Sequence, residues 1–411
     1  MRPRPNFTKI TTMLIVFTIM LVTLSGAAVG AQGTASGGQA APRAAAEPPE
    51  IDDVQAWALT DQESGLYLAG ENADEQLPIG SVTKIMSALV VLEEGVDLDQ
   101  EVPISEQAES YVGNTYSNVG LILGERVTVR DLLAASLIPS GTDAVYALAE
   151  HVGGGSVENF VGMMNDQAAA MGLTNTNFET PAGLDTNANY SSARDLAALA
   201  RAALQYPLFA EIVDTRDATI STQNREIEIH NTNQLLTTYP PATGVKTGTT
   251  PQAGANLVAS AEANGESYIS VIIGAEDSDA RFRDSQVLLE YAFGRYEPRS
   301  LVSQGEVYEE LPLPYRRGES VELTAAQDVN ASVDPNSEIE RRVTTPEPPP
   351  SAEAGQELGE VEVLVDGESA GRSPLAAREG YEEASLWDMA WYGVGSAWDW
   401  VWSSVTDLIF G

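Results

Sequence analysis

Residues 77–94 read LPIGSVTKIMSALVVLEE, and the rest of the chain is best read outward from them. Pro78 and Gly80 interrupt an extended segment, Ser81 can cap, and 84–94 is strongly apolar, which predicts a buried helix there. Ser81 and Lys84 stand at i and i+3, so a hydroxyl and an amine can meet on one helix face. The helix N-terminus adds free N–H groups and partial positive charge beside the serine. Taken alone, S-x-x-K is a weak signal, because a capping serine and a solvated lysine account for it.

Before this stretch, 54–60 (VQAWALT) and 65–69 (GLYLA) flank Asp61-Gln62-Glu63-Ser64 as a β-hairpin. After it, 129–138, 144–152, 157–171 and 192–204 carry helical spacing. Then the pattern changes: 218–229, 256–261 and 268–274 predict strands, and 283–293 predicts a helix. A helical block between a hairpin and later strands implies an α+β domain with one antiparallel sheet over residues 51–297.

Two further short motifs hold polar groups in apolar surroundings. Ser140-Gly141-Thr142 sits in a turn between two apolar helices, and Lys246-Thr247-Gly248-Thr249 opens or edges a strand. Each alone fits a cap or a surface turn. Gly248 would permit close approach of backbone or ligand, and Lys with Thr at a strand edge makes a ledge for a carboxylate. The basic residues comprise 19 Arg but only three Lys: Lys9, Lys84 and Lys246. Lysine, unlike arginine, can lose its proton when its pKa is lowered, so lysines kept against this bias point to chemistry.

S-x-x-K, S-x-N and K-T-G in this order form the signature of β-lactamases and penicillin-binding proteins. Here the three elements lie 59 and then 106 residues apart. With them, LPIGSVTKIMSALVVLE, LIPSGTDAVYALAEHVGG, NTNFETPAGLDTNANYSSARDLAALA and GVKTGTTPQAGANLVASA resemble the blocks of D-alanyl-D-alanine carboxypeptidases, the low-molecular-mass penicillin-binding proteins. The Gly183-Leu184-Asp185 block with Tyr190-Ser191 favours this family over β-lactamases. The resemblance implies a β-lactamase/transpeptidase-like fold, an antiparallel sheet with a helical subdomain, and a serine peptidase for peptidoglycan stem peptides that β-lactams inhibit covalently.

The catalytic expectation follows. Ser81 is the nucleophile, Lys84 its general base, and Ser140 a proton relay to the leaving D-alanine amine. Lys246, Thr247 and Thr249 bind the substrate carboxylate, with Lys246 as the nearby cation that lowers the pKa of Lys84. The N–H groups of Ser81 and Thr249 form the oxyanion hole. Thr142 stands where the family has Asn; it carries one hydroxyl where Asn would both donate and accept through an amide. The alternatives on the same residues are a serine β-lactamase, a DD-endopeptidase or transpeptidase, and a wall-binding protein without turnover.

Composition narrows the rest. The 411 residues carry 60 acidic and 22 basic side chains, no cysteine and two histidines, His151 and His230. Disulfides and thiolate metal sites are excluded, a Ser-His-Asp triad is disfavoured, and neither cofactor nor metal is expected. A net charge of −38 argues against nucleic acid, whose phosphates need clustered Lys and Arg. Arg2, Arg4 and Lys9, the apolar run 10–24 and Val29-Gly30-Ala31 fit a cleaved signal peptide over 1–31, or an uncleaved anchor. Cleavage removes three positive and no negative charges, taking −38 to −41.

Residues 32–50 are Gly/Ala/Pro-rich and predict a flexible linker, and 299–380 predict a small β-sandwich. In 381–411, Trp387, Trp391, Trp398 and Trp402 recur on one helical face. That segment is expected to be an amphipathic helix holding an exported protein to the outer face of the cytoplasmic membrane.

Overall fold

The computed structural model describes residues 48–392. The expected signal segment, most of the linker and the tail from 393 lie outside the described residues.

The expected hairpin is present as β1 (Ala56–Asp61) and β2 (Tyr67–Glu71), with Asp61 accepting from the Ser64 N–H at 2.9 Å in the turn. Every residue of β1 is buried, because both faces of the strand are covered. Ala56 and Ala58 face one core, and Trp57 and Leu59 face another. That is the period-two consequence of a pleated strand between two layers.

The helical block comprises α1 (Lys84–Glu93), α2 (Val129–Leu137), α3 (Thr142–Val152), α4 (Val157–Ala170), α5 (Ala193–Leu204) and α6 (Pro207–Asp214). Thr128, Ser156 and Ser192 cap α2, α4 and α5 through their hydroxyls, as their positions before apolar runs demand. Helix α6 is an addition to the expected elements; Pro207 at its first turn starts it.

The single strand expected over 218–229 is instead a hairpin, β3 (Asp217–Ser221) and β4 (Glu226–His230). Thr222 breaks it: its Oγ1 accepts from the N–H groups of Asn224 and Arg225, a local turn that outcompetes the ladder.

Three long strands follow: β5 (Ala242–Thr250), β6 (Gly254–Ala263) and β7 (Glu266–Ala275). The central sheet is antiparallel in the order β2-β1-β7-β6-β5, leaving β5 at an edge. Its other face is covered by α7 (Ser278–Arg295), which begins five residues before the expected Arg283. Asp277 caps it, accepting from the N–H groups of Asp279 and Ala280 at 2.8 Å each.

The C-terminal part is all β. The strands are β8 (Glu297–Val302), β9 (Val307–Pro312), β10 (Ser320–Ala325), β11 (Val329–Val333), β12 (Ile339–Thr344), β13 (Glu357–Val365) and β14 (Glu368–Ala377). They form a five-stranded sheet, β9-β10-β14-β13-β12, and the pair β8-β11. One apolar core lies within, and it also takes Leu66 from the loop between β1 and β2. The seam between the two parts is further tied by Arg295 to Asp334 and by Arg194 to Glu368, and Arg194 also pairs with Asp74 on its own side.

Among the described residues, no single helix is long and apolar enough to cross a membrane. At the start of the tail, Leu386, Trp387 and Trp391 are exposed.

Candidate active site

Ser81 lies in a 3-10 turn, Gly80–Thr83, that runs into α1, so it precedes the α-helix instead of forming its first turn. Side chains at i and i+3 eclipse in such a turn. Lys84 Nζ accordingly stands 3.0 Å from Ser81 Oγ and donates to the Ala182 carbonyl at 3.2 Å. A neutral amine that spends an N–H on Ala182 keeps its lone pair for the serine proton.

The ceiling above Ser81 is backbone. Gly183 has φ +73°, and a Cβ there would fall 1.8 Å from Gly80 O. Thr180 Oγ1 fixes this loop by accepting from the N–H groups of Gly183 and Leu184, both at 3.0 Å. Asn189 joins it to the Ser81 turn, donating to Thr83 Oγ1 at 3.0 Å and accepting from Glu179 N–H at 3.2 Å. Tyr190-Ser191 pairs with Leu77-Pro78, just before Ser81.

On the opposite wall, β5 presents Lys246 to Thr249. A Cβ at Gly248 would meet Ile79 O at 2.4 Å, so only glycine lets this strand close on the Ser81 turn. Thr247 Oγ1 shares a 2.6 Å hydrogen bond with Thr232 Oγ1, just past the β3–β4 hairpin. Thr232 N–H in turn donates to Ile138 O at the end of α2, which links β5 to the Ser140 turn.

Ser140 has φ +68°, an uncommon conformation for a residue with a Cβ, and its buried Oγ has no hydrogen-bond partner among the described residues. Thr142 is buried at the start of α3, with its N–H on Ser117 O.

Sequence reasoning missed Arg281. Its Nη1 donates to Thr249 Oγ1 at 2.8 Å, Gly248 O at 3.0 Å and Asn256 O at 3.3 Å, so it backs the K-T-G strand from α7. It falls in the turn of α7 that the capping Asp277 adds before the expected start. It also missed Asn256, which donates to Pro78 O and accepts from Gly274 N–H.

The electrostatics differ from expectation in one respect. The Lys84 pKa is lowered to about 7, mainly by burial, and the charge of Asp143 opposes that shift. The nearby-cation effect falls on Lys246 instead. Its pKa lies well below the ordinary lysine range because of burial, then Lys84, then Arg281. The two amines therefore stand in one water-poor crevice that disfavours charging both.

Residues 42–277 match the family model described as D-alanyl-D-alanine carboxypeptidase. The chain belongs to that family. Residues 296–383 match the penicillin-binding protein 5 C-terminal domain. This D-alanyl-D-alanine carboxypeptidase is 32% identical over 346 residues to DacF of Bacillus subtilis, covering 81% of this chain and 87% of the relative. It is 33% identical over 360 residues to DacC of Escherichia coli, covering 84% and 88%. Penicillin-binding protein 5 from Haemophilus influenzae superposes with a TM-score of 0.71 at 33% identity, over 82% of this chain and 100% of that one. The Streptomyces K15 DD-transpeptidase does so with 0.58 at 37%, over 61% and 100%. As a carboxypeptidase of this family, the protein is a hydrolase with a catalytic domain and an all-β domain after it.

Proposed function

We propose that Ser81 carries the reaction and that the protein trims the terminal D-alanine from peptidoglycan stem pentapeptides outside the cytoplasm. The observation that carries this reading is the 3.0 Å contact between Lys84 Nζ and Ser81 Oγ in a crevice where Lys84 is wholly buried. Arg281 supplies positive charge at the far end of the crevice, where Lys246 can meet the substrate carboxylate. Once that carboxylate arrives, it favours the charged form of Lys246, and a charged Lys246 disfavours a proton on Lys84. Binding thus prepares the base.

Lys84 takes the Ser81 proton as Oγ bonds to the carbonyl carbon of the penultimate D-alanine. The N–H groups of Ser81 and Thr249 receive the developing oxyanion. The carbon–nitrogen bond then breaks, and the Ser140 hydroxyl relays a proton to the departing amine. Water attacks the ester, Lys84 takes its proton, and Ser81 Oγ leaves with a proton restored. Thr247 and Thr249 line the carboxylate end, and Thr142 borders the Ser140 side. A β-lactam would acylate the same serine.

The test is D-alanine release from diacyl-L-Lys-D-Ala-D-Ala by the purified protein beside Ser81→Ala. Release confined to the wild type supports the reading. Equal release from Ser81→Ala overturns it. The tail from 381 is read as a membrane-surface anchor, supported by the exposed Leu386, Trp387 and Trp391. Equal flotation on liposomes with and without residues 381–411 would exclude that role.

A further inference from the structure

Asp143 is wholly buried, and the steps above make no use of it. It follows Thr142 in the first turn of α3, yet its carboxylate does more than cap its own helix. It accepts from Val119 N–H at 3.1 Å, from Leu121 N–H at 3.0 Å and from Ala144 N–H at 3.0 Å. The first two donors belong to the loop that runs beside Ser140-Gly141-Thr142, whose Ser117 carbonyl receives the Thr142 N–H at 2.8 Å. Tyr111, at the other end of that loop, stacks on Tyr146 one turn further along α3, with ring centroids 4.2 Å apart. The loop is therefore stapled to α3 twice, and one staple bears a buried charge.

That charge is also felt by Lys84, whose protonated form it favours. The charged groups around Lys84 are Asp143 from α3 and Lys246 from β5, with Arg281 of α7 behind Lys246. Any proton carried by these two buried amines, and the charge of Arg281 behind them, needs an opposing charge, because an unopposed buried charge is strongly unfavourable. We infer that Asp143 is a positioning residue of this reaction: it pins the 119–121 wall to the Ser140 side of the site and sets the field in which Lys84 exchanges its proton. The inference rests on Lys84 acting as the base of Ser81.

With three lysines in the chain, [13Cε]-lysine labelling of the full protein gives a spectrum in which Lys84 is assigned by its loss in Lys84→Met. Asp143→Asn keeps an acceptor and removes the charge. The Lys84 titration midpoint is expected to fall by about one pH unit, and the acid limb of kcat/KM to move down with it. A folded Asp143→Asn protein with reduced turnover and an unmoved midpoint would overturn the field role, leaving Asp143 as a wall bond only. If Asp143→Asn does not fold, Leu121→Pro serves: it deletes one N–H bond and keeps the charge. Turnover should then drop without any downward movement of the midpoint, and a downward movement overturns the inference. Full turnover in Lys84→Met would instead sink the underlying assignment of the base, whatever Asp143 does.

Discussion

A buried lysine with a lowered pKa imposes a cost on folding. With Lys84 at about 7 when folded and near the ordinary value when unfolded, the unfolded chain binds the extra proton at neutral pH. The resulting penalty is roughly 4 kcal/mol at pH 7, constant at lower pH and vanishing as pH approaches the unfolded value. Lys84→Met should therefore melt higher than the wild type at pH 7 while losing D-alanine release, with the gap narrowing toward pH 10; thermal melts across that range check it. At the other side of the crevice, Thr142→Asn should keep or raise turnover, since an amide adds a donor and an acceptor beside Ser140. A loss beyond about tenfold, the worth of one good hydrogen bond, would show that Thr142 is organised for threonine. Residues of this kind were legible because lysine is rare here: Lys84 and Lys246 stood out against 19 arginines. Arg281 was hidden for the same reason, being one arginine among many until the fold set it under Thr249. Asp143 was equally silent, because its partners lie 22 and 24 residues back along the chain.

Among the elements, those with one dominant period were the readable ones. The helices from α1 to α5 and the strands β6 and β7 all coincide with runs whose apolar spacing admits one reading. The β3–β4 hairpin did not, because the turn is made by a side-chain hydroxyl at Thr222 and not by Gly or Pro. The added turn of α7 depended on a cap at Asp277 that lies outside the apolar run. What no period could show is how tightly the loop 180–185 closes on the Ser81 turn. Gly183→Ala tests that closure: a methyl 1.8 Å from Gly80 O must displace backbone, and positive φ adds strain. Loss of D-alanine release by more than about 100-fold is expected, the scale of displacing reacting groups by ~1 Å. Wild-type turnover in this variant would mean that the loop is free to move away.

At the scale of the whole molecule, charge and layering matter most. A protein at −38 repels a substrate that ends in a carboxylate, while Lys246 and Arg281 attract it only at short range. Salt screens the first effect far more than the second. The KM for such a peptide should fall as NaCl rises from about 0.05 M to about 1 M, a range over which the Debye length shrinks severalfold, with kcat nearly constant. Steady-state kinetics decide it, and a KM that climbs with salt would show that contact charges dominate. The β-domain core takes Leu66 from the catalytic part, and the Arg295–Asp334 pair at the seam is largely buried. Arg194 and Glu368 are partly exposed, and such pairs contribute about 0–1 kcal/mol each.

The glycine-lined crevice also has a consequence for drug resistance. Added bulk beside the Ser81 turn meets backbone at three glycines. A side chain at Gly183 or Gly248 would collide with neighbouring backbone, and one at Gly80 would sit 3.3 Å from Thr249 N at a positive φ. Substitutions that add bulk against a compound reaching Ser81 are therefore expected at positions that already carry a side chain. Of these, Thr249 is open to solvent and Thr142 already departs from the family's usual residue, and those two are the places to watch in sequenced isolates.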